Sequence, residues 1–242
     1  MSVKPSITLS RAGFAALLSL SLLGMASFGY ALGLTMNRPV STAGAAPSTP
    51  TPTPGGTPAA TGPFVVGHSF PFQAAVETLS GTPTHLAHGS RATIVMAMAS
   101  WCLFCSYEDK YVLPALAKTP GVAIDIVDVS PQGGIADPGP ESPPFSGHDG
   151  TGGPLTLTGM EYTMRQYVAT YGTLAAPNIH VYVAPPATQT AWNVQAFPTL
   201  AFVNAQGRIV VAPPGALTVS QAQSALQQTL QASPHSTEAT HA

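Results

Sequence analysis

The sequence has few charged side chains. Of its 242 residues, eight are Lys or Arg and ten are Asp or Glu, so 7% of the chain is charged, against about 25% in an average globular protein. This scarcity excludes a basic nucleic-acid-binding protein and an acidic disordered tail. Five of the basic residues and all ten acidic ones follow Arg38, so that part of the chain is mildly acidic.

Cysteine is scarce as well, since the chain has only Cys102 and Cys105. A small scaffold held together by disulfides would need more cysteines, and a zinc module made of Cys and His would need more ligands at closer spacing. A zinc site here would have to recruit His148 and His180, which are more typical of structural or solvated histidines. We therefore expect no metal, and any role of the two cysteines is a role as a pair.

A long apolar run near the N-terminus contrasts with the rest of the chain. Residues 12–36 contain no charged side chain, and a helix of that length would span about 37 Å, more than the roughly 30 Å of a hydrocarbon core. Lys4 and Arg11 precede the run and only Arg38 follows it closely, which predicts a cytoplasmic N-terminus and an external domain. A cleaved signal peptide is the alternative, because the small residues 43–45 could form a cleavage site.

Composition then divides the chain into four parts. We predict a membrane anchor, or signal peptide, over residues 1–36 and an extended Pro/Thr-rich linker over residues 37–63. Residues 64–231 are long enough to bury a hydrophobic core and form the predicted domain. The polar residues 232–242 are predicted to be a disordered tail.

The hydrophobic pattern of the predicted domain indicates strands alternating with helices, followed by a hairpin. Predicted strands cover residues 92–98, 122–129, 179–184, 199–203 and 209–212, and predicted helices cover 102–118, 160–171, 187–194 and 220–230. Pro114 is expected to bend the first helix, and Gly172 to end the second. This order predicts an α/β fold with a sheet of mixed strand direction.

Both cysteines lie in the sequence WCLFC, where the first predicted strand passes into a helix. The unpaired N–H groups and the dipole of a helix N-terminus stabilise a thiolate at Cys102, and Cys105 lies one turn further on, close enough to close a disulfide. Half a zinc site or a structural staple would have the same spacing, but a bridge over two intervening residues restricts the unfolded chain very little. The pattern favours a redox-active pair in which Cys102 attacks and Cys105 resolves.

Several segments stand in an order that a known family shares. They are the apolar positions between residues 66 and 86, ASWCLFC at 99–105, Glu108 on the first helix, and AFPTL at 196–200 before the hairpin residues NAQGRIV. With them the chain resembles the thioredoxin-like thiol–disulfide oxidoreductases, especially the membrane-anchored, extracytoplasmic branch of the TlpA and ResA kind. The resemblance implies a thioredoxin-like fold, with a mixed central sheet flanked by helices, and a cis peptide bond between Phe197 and Pro198.

The resemblance also implies an activity. A member of this branch would sit in the cytoplasmic membrane with its domain outside, need no cofactor beyond the disulfide of Cys102 and Cys105, and exchange disulfides with exported proteins. It would use an electron donor or acceptor in or outside the membrane. Two departures leave the redox direction open: Met96 replaces the buried acid of thioredoxins, and Leu103-Phe104 is neither Gly-Pro nor Pro-His.

Three functions therefore stay open at this stage. One is a dedicated reductant, as in cytochrome c maturation, and another is a general disulfide oxidase or isomerase. The third is a non-catalytic binding or copper-handling module that keeps the thioredoxin-like fold. Trp101, Phe197 and Pro198 are predicted to bind an extended protein substrate, with plain core aromatics as the alternative for Trp101 and Phe197.

Two features are particular to this chain. Residues 130–158 form a Gly/Pro-rich insertion after the second predicted strand, long for a loop inside a compact domain. Because parallel strands end at one edge of a sheet, the insertion either borders Cys102 or is a disordered surface loop. The second feature is the small number of carboxylates, which predicts acid tolerance because few native ion pairs would be lost on acidification; mere compositional bias is the alternative.

Overall fold

The computed structural model describes residues 62–232. The predicted anchor lies outside the described residues, as do all but two residues of the predicted linker and all but one of the predicted tail. Within residues 62–232, no helix is both long and apolar enough to cross a membrane. The four-part division of the chain stays a prediction.

The described part of the chain contains seven strands and four α-helices. The strands are β1 (Val76–Thr78), β2 (Pro83–Thr84), β3 (Ala92–Met98), β4 (Val122–Asp128), β5 (Ile179–Val183), β6 (Thr199–Asn204) and β7 (Ile209–Val211). Helix α1 runs through Leu103–Tyr107, a π-helical turn at Glu108–Val112, and Leu113–Leu116. The other helices are α2 (Leu157–Tyr171), α3 (Ala187–Ala191) and α4 (Val219–Gln231), with a 3₁₀ turn at Thr173–Ala175.

The strands form one sheet in the order β2-β1-β5-β4-β3-β6-β7. β3, β4 and β5 are parallel, whereas β6 and β1 pair antiparallel with β3 and β5. Parallel neighbours are joined by α1 and α2, as the strand–helix–strand connection requires. The predicted α/β fold with a mixed sheet is confirmed, and it agrees with the thioredoxin-like fold that the resemblance implied.

Hydrophobic side chains cover both faces of β3 and β4, and every residue of both strands is buried. Their alternate side chains enter two separate cores, because successive residues of a strand point to opposite faces. On one face Ile94, Met96 and Ile126 belong to a core shared with α1, α2 and α4. On the other face Val95 and Val127 belong to a core shared with the N-terminal segment of the domain and with Trp192. Burial on both faces explains the continuous apolar run of β3.

Most predicted elements are present with shifted ends. The strand at residues 92–98 is confirmed over its whole length, and Gly172 ends α2 in a left-handed conformation with a φ of 40°. β1 and β2 were not predicted, because strands of three and two residues containing Glu77 and Pro83 carry little hydrophobic pattern. They are held by pairing with each other and, for β1, with β5.

The π-helical turn of α1 lies just before Pro114. Proline has no N–H to donate, and here the N–H of Leu113 reaches back to the carbonyl of Glu108, five residues earlier. The expected bend at Pro114 is thus found as a widened turn. Glu108 and Asp109 lie in this turn, and both are fully buried.

Four of the nine acidic side chains within residues 62–232 are fully buried, namely Glu108, Asp109, Asp125 and Asp128. Loss of solvation raises the pKa of Asp109 to about 7 and the pKa of each of the other three to about 8. Each of the four has at least one carboxyl oxygen with no hydrogen-bond partner among the described residues. At neutral pH the fold therefore favours the protonated forms of Glu108, Asp125 and Asp128.

These raised pKa values set the sign of the pH dependence. A carboxyl that binds its proton more tightly in the folded than in the unfolded chain stabilises the fold at low pH, and this contribution is lost as the pH rises through the folded pKa. The only ion pair among residues 62–232, His148 with Asp137 at 3.7 Å, is exposed. Acid tolerance stays a prediction, but its main cause shifts from scarce ion pairs to buried neutral carboxyls. Burial lowers the pKa of the partly buried His180, which acts in the opposite direction at acidic pH.

We expect the free energy of unfolding of the full-length protein to fall by at least about 4 kcal/mol between pH 5 and pH 8.5, which is the loss for a single carboxyl whose pKa is raised to about 8. The reason is the ionisation of buried carboxyls that lack solvation. Chemical denaturation at several pH values measures it. Asp125→Asn should make the profile less steep, whereas Glu141→Gln, at an exposed position outside any ion pair of the described residues, should leave it unchanged. Stability that rises over this pH range would contradict the prediction.

Candidate active site

Cys102 lies directly before helix α1, beyond the end of β3. It is the N-cap residue, with φ −83° and ψ 119°, and its N–H donates to the carbonyl of Ala99 at 3.0 Å. Its sulfur accepts a hydrogen bond from the backbone N–H of Cys105 at 3.2 Å. The thiol thus occupies the place in which N-cap side chains satisfy an unpaired N–H of a helix. Both cysteines are free and buried.

The pKa values of the two thiols are shifted in opposite directions. The hydrogen bond from the Cys105 side chain, followed by the N–H groups of Cys105 and Phe104, lowers the pKa of Cys102, while burial and the charge of Asp149 oppose this shift. Burial, followed by the nearby Cys102 and Asp109, raises the pKa of Cys105 well above its usual range. A thiolate attacks and a thiol does not, so the geometry favours Cys102 as the attacking sulfur.

The Phe197–Pro198 loop lies beside the CxxC segment. The peptide bond between these residues is cis, as the resemblance implied. The ring of Phe197 meets that of Trp101 edge to face, with centroids 5.9 Å apart, and the indole N–H donates to the Ser130 hydroxyl at 3.0 Å. Both rings pack against the hydrophobic core while staying partly exposed. Packing against the core is thus observed, and substrate binding by the exposed parts of the two rings stays a prediction.

A cleft of about 390 Å³ opens next to Trp101 and Phe197. Its other lining residues are Ser130, Pro131, Gln132, Gly152, Pro154 and Gln189. One wall thus comes from the segment after β4 and the other from the proline loop and α3. Such an open, mainly apolar cleft is suited to an extended polypeptide segment.

The Gly/Pro-rich insertion borders Cys102. The N–H of Ala136 donates to the carbonyl of Ser100 at 3.1 Å, and the N–H of Gly150 donates to the carbonyl of Trp101 at 2.8 Å. Asp149 accepts the N–H of Leu103 on a carboxylate oxygen at 2.8 Å. The topological prediction is confirmed, and the alternative of a disordered surface loop is wrong.

Glycine allows the two limbs of the insertion to pack against each other. A Cβ atom on Gly150 would lie 2.6 Å from the backbone of Ile135, and one on Gly152 would lie 2.4 Å from the backbone of Gly133. No real Cβ tolerates such distances, so only glycine permits this approach. The glycines that suggested disorder are therefore required for the close packing of the two limbs.

Aromatic contacts fix the insertion to the outer side of α1. The ring of Phe145 lies 5.5 Å from Phe104 and 4.4 Å from Tyr107. The hydroxyl of Tyr107 donates to the carbonyl of Glu141 at 3.2 Å, and that of Tyr111 to the carbonyl of Gly139 at 2.8 Å. Phe104, between the two cysteines, remains 44% exposed. An apolar ring thus stands at the rim of the site.

Sequence reasoning missed a buried acid next to Cys105. Asp109 lies one helical turn after Cys105, and its carboxylate accepts a hydrogen bond from the Tyr167 hydroxyl at 2.6 Å. Its neighbour Glu108, which the resemblance had marked, accepts the N–H of Leu217. Met96, at the position where the resemblance implies an acid in thioredoxins, is fully buried in the core, and α1 carries two buried acids. The available signal was the i, i+4 spacing of Cys105 and Asp109 in a chain with few charges.

The two histidines considered as zinc ligands lie in separate places. His148 is an exposed residue of the insertion, and His180 lies in β5 with its side chain partly buried. Residues 62–232 contain no group of three or more His, Cys, Asp or Glu side chains arranged to hold a metal ion.

Comparison with known proteins reaches only the level of the fold. No family model and no curated protein matches the chain. Among solved structures, it is similar to a thioredoxin-like protein of Aeropyrum pernix, with 15% identity, 64% of this chain and 88% of that chain covered, and a TM-score of 0.43.

Two further similar structures are named as proteins of disulfide exchange. A secreted disulfide oxidoreductase of Mycobacterium tuberculosis, homologous to E. coli DsbE, shares 19% identity over 64% of this chain and 96% of its own, with a TM-score of 0.41. A thiol:disulfide interchange protein of the thioredoxin family from Chlorobium tepidum shares 17% over 65% and 92%, also with a TM-score of 0.41. All three similarities are similarities of fold, at identities below 20%.

We expect alkylation of the reduced full-length protein at pH 7 to label Cys102 at least about tenfold faster than Cys105, since each unit of pKa changes the thiolate fraction tenfold. Peptide mass spectrometry after short exposures to iodoacetamide measures both rates. The variants Cys102→Ser and Cys105→Ser serve as controls for assignment. Faster labelling of Cys105 would show that the acidity assignment is wrong.

Proposed function

We propose that this protein is an extracytoplasmic thiol–disulfide oxidoreductase that exchanges disulfides with exported proteins. The supporting observation is the arrangement of its two thiols. The Cys102 sulfur accepts the N–H of Cys105 at the start of α1, and the pKa of Cys102 is lowered while that of Cys105 is raised. The lowered pKa thus favours attack by the Cys102 thiolate, whereas the raised pKa keeps Cys105 a protonated thiol until it resolves the mixed disulfide.

The reaction proceeds in two exchanges. The Cys102 thiolate attacks one sulfur of a substrate disulfide, so that a mixed disulfide forms and the other substrate sulfur leaves as a thiolate, which takes up a proton. Cys105 then loses its proton and attacks the Cys102 sulfur, releasing the second substrate thiol. Two electrons pass to the substrate, whose disulfide becomes two thiols, while Cys102 and Cys105 become a disulfide. The reverse sequence oxidises a substrate dithiol.

Proton removal from Cys105 requires a base inside the protein, because Cys105 is fully buried. Asp109 is suited to this role. Its charge acts on Cys105, its pKa is raised to about 7 by burial, and its hydrogen bond from Tyr167 stabilises the ionised form. A base whose pKa lies near the operating pH is effective in proton transfer.

The surroundings of Cys102 support a protein substrate. Trp101 and Phe104 flank Cys102 in the chain, Phe197 contacts Trp101, and all three rings are at least partly exposed. The cleft beside Trp101 has room for an extended segment. The rings would contact apolar side chains of an unfolded or flexible partner. Trp101, Phe197 and Pro198 are accordingly proposed to bind the substrate.

The proposed location is based on the sequence, and the proposed electron partner on the family resemblance. We propose that residues 12–36 hold the protein in the cytoplasmic membrane, with the domain outside, and that a membrane or extracytoplasmic protein renews the Cys102–Cys105 pair. The dithiol needs no further cofactor for this chemistry. A dedicated reductant, as in cytochrome c maturation, and a general oxidase or isomerase are the two directions in which it could act.

A non-catalytic binding or copper-handling module is the alternative from another class. Copper-delivery relatives of this fold use a CxxxC spacing with a distant His, and the CxxC spacing here argues against them. Redox titration of the full-length protein distinguishes the two functions. Reversible two-electron oxidation of the pair supports the enzyme, whereas stoichiometric copper uptake without such oxidation supports the module.

We expect Cys105→Ser to accumulate mixed disulfides between Cys102 and exported proteins, because the attacking thiol is kept and the resolving thiol is lost. Cys102→Ser should accumulate none. Non-reducing electrophoresis and mass spectrometry of the captured species provide the measurement. Apocytochromes among the partners would indicate a dedicated reductant, and a broad set of secreted proteins a general oxidase or isomerase. Capture by Cys102→Ser alone would contradict the assignment.

We expect Asp109→Asn to slow release of substrate from the mixed disulfide by about tenfold to a hundredfold, because an amide cannot accept the proton of Cys105. Asp125→Asn is the matched control, since Asp125 is also a buried acid of raised pKa but its strand position points it to the opposite face of the sheet. Single-turnover kinetics with a peptide disulfide measure the rate. Equal slowing in both variants would indicate a general effect of stability.

A further inference from the structure

The first turn of α1 divides its N–H groups between a thiol and a carboxylate. The N–H of Cys105 donates to the Cys102 sulfur at 3.2 Å, and the N–H of Phe104 also favours the Cys102 thiolate. The N–H of Leu103 instead donates to a carboxylate oxygen of Asp149 at 2.8 Å. A negative charge from the insertion therefore shares the helix N-terminus with the attacking sulfur.

Asp149 is held in this place by its neighbours, although its side chain is exposed. The next residue, Gly150, donates its N–H to the carbonyl of Trp101 at 2.8 Å, and packs tightly against the backbone of Ile135. The other limb is tied by Ala136 to the carbonyl of Ser100. The backbone on both limbs is thus hydrogen-bonded to the chain that leads into Cys102.

We propose that Asp149 is a positioning residue that disfavours the thiolate of Cys102 and thereby makes the Cys102–Cys105 dithiol a stronger reductant. The inference rests on the proposed function and refines it, because it assigns the insertion a role in setting the redox direction. It also gives Asp149 a role beyond capping the helix.

The two redox states of the protein differ in the charge on Cys102. In the reduced state Cys102 can carry a negative charge, which the carboxylate of Asp149 repels. In the oxidised state neither sulfur carries a charge, so the repulsion is absent. Asp149 therefore raises the free energy of the thiolate-bearing reduced state relative to the disulfide. A less stable reduced form gives up its electrons more readily.

The charged and titratable groups around this thiol come from two elements. From α1, Cys105 contacts Cys102 directly, and the buried Asp109 acts on Cys105. From the insertion, the charge of Asp149 acts on Cys102. The ring nitrogens of the adjacent His148 lie 3.3 Å from the carbonyl of Asp149 and 3.7 Å from the carboxylate of Asp137. Among the described residues, Asp149 is thus the acid that acts on Cys102 itself.

The test uses the full-length protein and the variant Asp149→Asn, which keeps an oxygen to accept the Leu103 N–H but loses the charge. Glu141→Gln is the matched control, because it removes an exposed charge from the same insertion. Two quantities are measured: the pH profile of Cys102 alkylation, and the equilibrium with glutathione one pH unit above the observed thiol pKa. In that equilibrium the protein dithiol and glutathione disulfide yield the protein disulfide and two glutathione thiols.

We expect Asp149→Asn to move the alkylation profile to lower pH and to lower the equilibrium constant for oxidation by glutathione disulfide about threefold, equivalent to about half a pKa unit. Glu141→Gln should leave both unchanged. The difference should shrink in 1 M salt, where screening acts over about 3 Å. A third variant, Asp149→Ala, should move the profile as Asn does.

Three results would overturn the inference. They are an unchanged profile in Asp149→Asn, an equal shift in Glu141→Gln, and a shift in Asp149→Ala alone, which would indicate helix capping only. Failure of the proposed function has a different signature. It would appear as a wild-type protein that forms no Cys102–Cys105 disulfide with glutathione, and the alkylation profile would still test Asp149 in that case.

Discussion

Because β3 pairs with β4 on one edge and with β6 on the other, it brings together the three segments that form the candidate site. β3 is in parallel register with β4 as far as Met98 and Asp128, and in antiparallel register with β6 as far as Ala97 and Thr199. Cys102 follows the end of β3, the insertion follows the end of β4, and Pro198 directly precedes Thr199. Three segments far apart in the chain therefore meet at one end of one strand because backbone hydrogen bonds fix their register.

Desolvation acts on the acids and on the second thiol in the same way. The core next to α1 keeps Cys105, Glu108 and Asp109 away from water, and burial is the largest cause of the raised pKa of each. Although the chain has few ionisable side chains, several of them are buried in positions that favour their neutral form. Such groups tend to serve chemistry more than stability, since an ionised acid without solvation destabilises the fold.

The insertion shows how composition can suggest the wrong state of a segment. Its glycines and prolines are typical of flexible chain, yet its limbs pack backbone to backbone and its aromatic residue Phe145 joins the cluster on α1. The order arises because the missing side chains permit contacts that other residues would prevent. In this domain the same segment forms one wall of the cleft and brings Asp149 to the thiol.

By itself the sequence determined the elements whose signals are local. The apolar run of β3, the cysteine spacing at a strand-to-helix junction, the glycine that ends α2 and the Phe197–Pro198 dipeptide all act over a few neighbouring residues. It also predicted the edge of the sheet from which the insertion leaves, because parallel strands end at the same edge. Only the tertiary structure decided the short strands β1 and β2, the burial of Asp109 beside Cys105 and the approach of Asp149 to Leu103. Each of these depends on contacts between residues distant in the chain, where pairing and desolvation outweigh local preference.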